Sequence, residues 1–374
     1  MKKLFVLKIG SSSLTTENGR LDTEYLDLIA RTVCKNVIAD GNEIIIVTSG
    51  AIATGIGLMN IEKIPRAISE KQALAAVGQV ELMHQYSNSF GKYGKKVAQI
   101  LLTKSQIEDR ERYLNIKNTI FTLLKKGIVP IINENDTVSI SEIKFGDNDT
   151  LSALVAAKVA ADLLIILTDV DGVYTSNPRQ NPDAKLVKTI NIKDYKNLGI
   201  DFSAKTGTKS GTGGMLTKFK AAQIACLSDV EVFITNGKKK KVVENLFKNF
   251  EVGTKFLPDA KFFNEKERWM AFSAKTKGSI VIDAGAENAI LNKGKSLLAA
   301  GIVKASGDFR SGDIVDLMDK NNKILAKGAV EYSADEINKI KGLKIEEIQK
   351  SFEHIYDKEI IHRDNMVVLF YEMF

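Results

Sequence analysis

Short apolar runs alternate with longer segments of helical periodicity along much of the chain. Residues 4–7 form an apolar run that ends shortly before Gly10, and apolar residues then recur every three or four positions from 26 to 37. The same alternation predicts strands at 43–48, 96–102, 128–132, 163–167 and 230–235, and helices at 70–90, 111–126, 150–160 and 215–228. Because the strands read as continuous apolar runs, we predict a mostly parallel sheet with helices on both faces, a three-layer α/β sandwich.

The pattern changes twice after residue 188. From 189 to 212 the periodicity gives way to polar residues and glycine, which predicts a mobile loop. After Pro258, short strand-like pieces alternate with turns, at 279–283, 301–305, 312–318 and 324–330. We therefore predict two domains, an α/β domain over 1–258 and a second, smaller β-rich domain over 275–374.

Composition narrows the class of protein. The 374 residues allow two domains of ordinary size, and 44% hydrophobic with 26% charged residues is typical of globular proteins. The two cysteines, Cys34 and Cys226, are far apart and fit no metal or redox spacing, which disfavours a disulfide scaffold, a zinc finger and a thioredoxin-like site and favours a reducing cytoplasm. The longest apolar stretch, 151–167, contains Lys158 and Asp162, so we predict no membrane-spanning helix and a cytoplasmic location.

The positive charge is unevenly distributed along the chain. There are 53 Lys+Arg against 46 Asp+Glu, a net charge of +7, which suits nucleic acid or a small anionic substrate equally. Residues 275–374 contain 15 basic and 16 acidic residues, so the excess lies in the first 274 residues. Surfaces that track phosphates need an excess of Lys and Arg. We call residues 275–374 the tail. An RNA-binding or regulatory role of the tail therefore stays open but is disfavoured.

Two predicted strand ends lead directly into small residues. Lys8 ends the first strand and is followed by Gly10, and Ser49 follows the second strand before Gly50. Ligands of open α/β sheets bind beyond the carboxyl ends of the strands, where backbone N–H groups approach a phosphate or carboxylate closely. A surface lysine beside a turn, and glycines that serve only close packing, are the alternatives at this point.

A third candidate is a set of amides and carboxylates around a strand end and the next helix start. Asn133 and Asp136 follow a predicted strand, and Asp147, Asn148 and Asp149 precede or begin a predicted helix. Such groups are costly to bury unless they are paired or bind a ligand, so their number predicts a polar site. Turn formation and helix capping explain single residues such as Asp149, but not the whole set.

A glycine-rich segment over 210–218 opens another predicted helix and includes Lys218. Its spacing matches neither the Walker A motif nor the dinucleotide-binding motif, and a flexible hinge is the alternative interpretation. However, two lysines beside glycine-rich turns, Lys8 and Lys218, are what phosphoryl transfer requires, because that reaction depends on charge stabilisation more than on covalent chemistry.

Together these motifs resemble the amino acid kinase family. The runs that carry the resemblance are INEND at 132–136, KFGDND at 144–149, TDVDGVY at 168–174 and GTGGM at 211–215. They are specific in combination, and the likeness extends over essentially the whole chain. It implies the amino acid kinase fold over about 1–255, followed by a smaller β-rich domain that resembles the PUA domain of bacterial members.

The resemblance also implies roles for individual residues. Lys8 and Lys218 would flank the transferred phosphoryl group, and Asp149 would hold both lysines by charge pairing. The substrate-binding residues that it implies are Ser49, Asp136 and Asn148, assisted by Asn133 and Asp147. The ATP-binding residues that it implies are Lys8, Thr168, Asp169, Thr212, Gly213, Gly214, Met215, Leu216, Thr217 and Lys218.

The implied activity is ATP-dependent phosphorylation of the side-chain carboxylate of L-glutamate to L-glutamyl 5-phosphate, the first step of proline biosynthesis. Mg2+ would bridge the nucleotide phosphates, and no residue of the protein is assigned as a metal ligand. The resemblance further implies feedback inhibition by proline and a homo-oligomer, a dimer or a tetramer, with no membrane partner. Family members that act on aspartate, acetylglutamate, carbamate or UMP are the nearer alternatives, which the tail and the run 133–136 disfavour.

Overall fold

The computed structural model describes residues 2–16, 20–62, 65–139, 148–178, 181–194, 198–200, 214–248, 252–258, 264–272, 274–351 and 359–369. The chain folds into two compact units. The first unit comprises Met1–Ile107 and Glu111–Phe262, and the second comprises Glu108–Arg110 and Phe263–Phe374. The domain limits at 258 and 275 stay predictions.

The first unit is built on one large sheet. Among the described residues its strands are β1 (Leu4–Ile9), β2 (Glu43–Val47), β3 (Val97–Leu102), β4 (Val129–Glu134), β5 (Leu163–Thr168), β6 (Thr189–Asn191), β7 (Glu231–Asn236) and β8 (Thr254–Leu257). They lie in the order β3-β4-β2-β1-β5-β7-β8-β6, and each neighbouring pair is parallel except β7 with β8. Every residue of β4 and β5 is buried, as expected for parallel strands covered on both faces.

Helices connect most of these strands. They are α1 (Ser11–Leu14), α2 (Thr23–Val33), α3 (Ala51–Leu58), α4 (Ile68–Gly91), α5 (Lys104–Glu108), α6 (Arg110–Lys125), α7 (Asn148–Val159), α8 (Met215–Cys226) and α9 (Lys240–Glu244). A π-helical stretch, Cys34–Ile38, continues α2. Asp22 begins α2, because its carboxylate accepts a hydrogen bond from the backbone N–H of Tyr25 at 2.9 Å. In the described part of the chain no helix is both long and apolar enough to cross a membrane.

The two faces of the sheet carry different helices. Side chains alternate along β1, and Leu7 and Ile9 lie in one hydrophobic cluster with residues of α2 and α4. Lys8 points to the opposite face, where α7 packs against β1 and α8 packs against α7. The period of the strand therefore directs one lysine of β1 toward the start of α7.

Glycine allows α3 and α4 to approach closely. A Cβ atom at Gly78 of α4 would lie 1.9 Å from the carbonyl oxygen of Ala51, the first residue of α3, so any larger residue would push the helices apart. Gly50 precedes α3 with a φ of 100°, a left-handed conformation that glycine adopts without strain. These contacts hold the middle of α4 against the segment that follows β2.

The second unit contains its own five-stranded sheet in the described residues. Its strands, in the order β10-β9-β11-β12-β13, are β9 (Gly278–Ile282), β10 (Ile302–Gly307), β11 (Ile314–Met318), β12 (Ile324–Ala329) and β13 (Met366–Val368). Its helices are α10 (Glu265–Phe272), α11 (Ala284–Lys293), α12 (Ala334–Ile340) and α13 (Ile345–Ser351). A separate hydrophobic core fills this unit, with Ile280, Leu317 and Ile337 fully buried.

The predicted fold class is confirmed, and the strands and helices predicted before residue 236 are present with ends shifted by one or two residues. The loop predicted to begin at 189 is wrong for its first residues, because β6 pairs with β8 there. Strands of three or four residues are too short to show a periodic pattern. Helices α11 to α13 were not predicted either. Residues 195–197 and 201–212 of the predicted loop lie outside the described residues.

Candidate active site

Three neighbouring strands bring Lys8, Thr48 and Asn133 to one edge of the sheet. In the register of the sheet Lys8 is the partner of Val47, and Val47 is the partner of Ile132. All three side chains at the edge are buried. Because parallel strands end at the same edge, motifs that are far apart in the sequence face one another here.

Asp149, in the first turn of α7, binds two lysines. Its Oδ1 lies 2.5 Å from Lys8 Nζ, and its Oδ2 lies 3.1 Å from Nζ of Lys218, the fourth residue of α8. The exposed fraction is 1% for Asp149, 6% for Lys8 and 7% for Lys218. We call these three residues the charged group; it holds two cations and one anion in a buried place.

The lysines keep Asp149 ionised. Burial by itself raises the pKa of a carboxyl group, but the charges and hydrogen bonds of Lys8 and Lys218 outweigh burial and hold the pKa of Asp149 below its ordinary value. The carboxylate is therefore negative throughout the neutral pH range. Two ammonium groups converge on one carboxylate here, an arrangement that suits an anionic ligand.

Glycines leave space and backbone donors beside the charged group. Gly50 precedes α3 and Gly214 precedes α8, and no described side chain caps either helix start. Neither first turn contains an acidic residue, so the N–H groups and the helix dipole favour an anion. At Gly10 a Cβ atom would lie 3.4 Å from Lys8 Nζ, and its absence leaves room next to the lysine.

A network of neutral amides lies beside the charged group. Asn148 donates from Nδ2 to the carbonyl oxygen of Thr48 at 2.8 Å, and Nδ2 also lies 2.8 Å from Ser49 Oγ and 3.0 Å from Asn133 Oδ1. Asn133 donates in turn to Gln79 of α4 at 2.8 Å. These hydrogen bonds join α4, α7 and the ends of β2 and β4. We call Gln79, Asn133 and Asn148 the amide network.

Thr168 and Asp169 lie at the end of β5. Thr168 is buried, and its hydroxyl donates to the Asp169 carboxylate at 3.2 Å. Asn236, at the end of the adjacent β7, donates to the carbonyl oxygen of Asp169 at 3.4 Å and to the Asp171 carboxylate at 2.9 Å. Asp171 also pairs with Lys239 at 2.8 Å. Asn236 therefore ties the two strand ends together.

Most of the site residues predicted from the sequence come together in the structure. The charged group contains Lys8, Asp149 and Lys218, and the amide network and its neighbours include Ser49, Asn133 and Asn148. Asp136 is half-buried in the turn after β4, and Gly214, Met215, Leu216 and Thr217 form the start of α8. Thr217 Oγ1 lies 3.4 Å from the Asp149 carboxylate. The predicted residues Asp147, Thr212 and Gly213 lie outside the described residues.

Gln79 is the member of the amide network that sequence analysis did not single out. Helical periodicity places it near Leu74, Ala75 and Leu82 on the buried side of α4. A polar residue at a buried helical position signals a hydrogen-bonding partner, because burying an unsatisfied amide is costly. The pattern alone does not say which partner, and Asn133 is 54 positions away.

The donor set suits phosphate groups better than a resident metal ion. Within the described ranges, no group of three or more histidine, cysteine and acidic side chains could hold a metal. In proteins Mg2+ keeps several waters and binds through one or two carboxylates together with substrate phosphates. The buried lysines and glycine-bordered N–H groups are hydrogen-bond donors that fit the oxygens of a phosphate group.

Comparison with known proteins divides the chain into the same two parts. The model described as "Amino acid kinase family" matches residues 3–236. This chain belongs to the amino acid kinase family. The model of the PUA domain matches residues 278–352, in the second unit.

Curated members of the amino acid kinase family match nearly the full length of the chain. The glutamate 5-kinase of Thermoanaerobacter pseudethanolicus is 47% identical over 364 residues, 97% of each chain. That of Caldanaerobacter subterraneus subsp. tengcongensis is 45% identical over 364 residues, again 97% of each. Among solved structures, the carbamate kinase from Giardia lamblia bound to AMP-PNP is 14% identical with a TM-score of 0.50, and the match covers 69% of this chain and 99% of that chain. At that identity the likeness shows the fold alone.

Proposed function

We propose that this amino acid kinase transfers the γ-phosphoryl group of ATP to the side-chain carboxylate of L-glutamate, forming L-glutamyl 5-phosphate and ADP, the first step of proline biosynthesis. The observation that carries the proposal is the buried charged group of Lys8, Asp149 and Lys218 directly beside the amide network. Cations for a phosphoryl group and neutral groups for an amino acid adjoin at one edge of the sheet. The glutamate 5-kinase relatives support glutamate as the substrate.

Lys8 and Lys218 act on the transferred phosphoryl group. A carboxylate oxygen of glutamate attacks the γ-phosphorus, and the bond from that phosphorus to the β–γ bridging oxygen breaks, so ADP leaves with the bonding electrons. Negative charge is spread over the phosphoryl and leaving oxygens in the transition state, where two ammonium groups stabilise it. Asp149 holds the lysines in position, since without it two buried cations would repel each other.

Ser49, Asp136 and Asn148 bind glutamate, with Asn133 and Asp147 in support. The α-amino group is cationic and needs a carboxylate partner, which is the role of Asp136. Asn148 directly precedes Asp149 in the chain, and its amide bonds to the carbonyl oxygen of Thr48, which follows the sheet partner of Lys8. In the proposed arrangement the reacting carboxylate lies at β1, and the rest of the amino acid extends toward β2 and β4.

Thr168, Asp169 and residues 212–218 bind ATP. The N–H groups after Gly214 fit the phosphates, because no side chain of the described residues caps the start of α8, and Lys8 Nζ lies beside Gly10. Mg2+ would be held by the nucleotide phosphates and water, and it neutralises charge on the β- and γ-phosphates when bound.

The reaction needs no general base. Free side-chain carboxylates of glutamate titrate near pH 4.3, so the nucleophile is already ionised at pH 7. His84 is exposed on α4, and the described contacts give it no place in the charged group. The protein therefore has to position the two substrates and stabilise the transition state, and it does not have to remove a proton.

The proposal carries further features from the family resemblance. Proline acts as a feedback inhibitor, the chain forms a dimer or a tetramer, and the kinase and PUA-like domains extend over 1–258 and 275–374. RNA binding by the tail is disfavoured, because residues 275–374 contain 15 basic against 16 acidic residues.

An ATP-consumption assay with the full chain and Mg2+ tests the substrate. The panel is L-glutamate, L-aspartate, N-acetyl-L-glutamate, carbamate and UMP, with hydroxylamine present in parallel samples to trap an acyl phosphate as its hydroxamate. We expect ADP and hydroxamate with glutamate alone. Equal or greater ADP formation with another compound would overturn the substrate assignment, and ADP without hydroxamate would exclude transfer to a carboxylate.

A further inference from the structure

Gln79 is a buried side chain beside the site to which the proposed reaction assigns no role. It is 8% exposed, and its Oε1 accepts a hydrogen bond from Asn133 Nδ2 at 2.8 Å. Its Nε2 is fully buried and has no hydrogen-bond partner in the part of the chain that the structure describes. A buried amide donor without a partner is costly, and at a position bonded to Asn133 beside the site it suits an acceptor on the substrate.

A backbone N–H determines which atom of Gln79 is left over. The N–H of Glu134 donates to Asn133 Oδ1 at 2.9 Å, and a backbone N–H is only a donor. The other atom of the Asn133 amide is therefore Nδ2, and the Gln79 atom that faces it must be the acceptor Oε1. The unpaired atom of Gln79 is Nε2, a donor.

A backbone carbonyl determines the orientation of Asn148 in the same way. The carbonyl oxygen of Thr48 accepts from Asn148 Nδ2 at 2.8 Å, which leaves Oδ1 as the remaining atom. Oδ1 is buried, and among the described residues it has no partner. The amide network thus offers one unused donor, on Gln79, and one unused acceptor, on Asn148.

A donor and an acceptor are complementary to the α-carboxylate and the α-ammonium of an amino acid. Gln79 is bonded to Asn133 at the end of β4, and β2 separates β4 from the strand of Lys8. Two strand spacings amount to roughly 10 Å. In the proposed reaction the side-chain carboxylate of glutamate meets Lys8, and its α-carbon end extends toward the amide network.

We infer that Gln79 is a substrate-binding residue whose Nε2 donates a hydrogen bond to the α-carboxylate of the substrate. The inference rests on the proposed function, and it adds a specificity: the site selects a free α-carboxylate over an α-carboxamide. A carboxamide offers Nε2 one neutral oxygen, which accepts a weaker hydrogen bond than a charged carboxylate oxygen does, and in its other orientation it presents NH2 to the donor. Asn133 orients the side chain of Gln79, and Gln79 binds the α-carboxylate of the substrate.

Two substitutions of Gln79 separate contact with the substrate from support of Asn133. Gln79→Glu keeps an oxygen that accepts from Asn133 but replaces the donor by a carboxylate oxygen, whereas Gln79→Met removes both groups. We expect both variants to raise the glutamate KM about 10- to 100-fold, the scale of a lost hydrogen bond to a charged group, with the ATP KM within about 2-fold of wild type. If Gln79 only supports Asn133, Gln79→Glu keeps the wild-type glutamate KM.

The α-amide of L-glutamate supplies a second readout, because it keeps the reacting side-chain carboxylate. We expect the wild type to prefer glutamate, and the ratio of kcat/KM for the α-amide to that for glutamate to rise at least about 10-fold in Gln79→Glu, whose carboxylate accepts from the amide NH2.

Gln223→Glu is the matched control. Gln223 is a second buried glutamine of the described residues whose Nε2 lacks a partner. We expect Gln223→Glu to lower the Tm but not to change the ratio of kcat/KM for the α-amide to that for glutamate. An unchanged ratio in a folded, active Gln79→Glu protein would overturn the inference. A wild type without glutamate-dependent ADP formation would instead overturn the proposed function.

Discussion

The charged group and the amide network adjoin at one edge of the sheet, yet they are built on different principles. Lys8, Asp149 and Lys218 are three ions with more positive than negative charge, all less than 8% exposed. Gln79, Asn133 and Asn148 are neutral. The backbone groups of Glu134 and Thr48 determine the direction of the two asparagine amides, and Asn133 determines that of Gln79. One region supplies charge, and the other supplies direction.

The difference between the two regions follows from the part of the substrates that each would bind: the transferred phosphoryl group or the α-carbon end of the amino acid. Negative charge develops on phosphoryl oxygens during transfer, so cations held in a dehydrated place stabilise the transition state more than the ground state. The amino acid changes little at its α-carbon end, and oriented neutral groups distinguish it from analogues without a net buried charge. Loss of a charge should therefore lower kcat, whereas loss of an amino acid contact should raise KM.

The largest expected effect is that of Lys218→Ala, which removes one cation of the charged group. We expect kcat to fall about 100-fold or more, the scale for removal of one stabilising donor, with little change in the glutamate KM. Steady-state kinetics with glutamate and ATP measure it. Lys220→Ala, two residues further along α8, is the control and should keep the wild-type kcat. A normal kcat in Lys218→Ala would show that charge from α8 plays no part in transfer.

A smaller effect is expected for Asp136→Ala, on the amino acid side. Removal of the carboxylate leaves the α-ammonium without its charged partner, so the glutamate KM should rise roughly 10- to 100-fold while the ATP KM stays within about 2-fold. Both constants come from initial rates with one substrate varied at a time. Asp183→Ala, at an exposed position, should change neither constant. A raised ATP KM with an unchanged glutamate KM would move Asp136 to the nucleotide side.

The smallest effect is expected for a truncated chain that ends at residue 262, because both regions of the site lie in the first unit. The second unit has its own core, so its removal should leave glutamate-dependent kcat within about 3-fold of the full chain. Circular dichroism checks folding, and ADP formation checks activity. Complete loss of activity in a folded truncated protein would assign part of the site to the tail.

The sequence by itself determined the order of strands and helices in the first unit and most residues of the charged group. Apolar runs and helical periodicity are local properties of the sequence. The strand at 43–47 and the helix at 68–91 can therefore be predicted without tertiary information. Lys8 and Lys218 can also be predicted as site residues, because each lies beside glycines at a predicted strand end or helix start. Strands β6 and β8 cannot be predicted in this way, because a run of three or four residues is too short to show a periodic pattern. Their pairing depends on partners that are distant in the chain.

Only the tertiary structure decided which polar groups meet and which atoms remain unpaired. Asn148 bonds to Thr48 across 100 positions, and Gln79 bonds to Asn133 across 54. Hydrogen bonds depend on separations of about 3 Å and on direction, which periodicity does not specify. The side of α4 that carries Gln79 is readable from its pattern. Its role is not, because that depends on the backbone N–H of Glu134, which fixes the direction of the Asn133 amide.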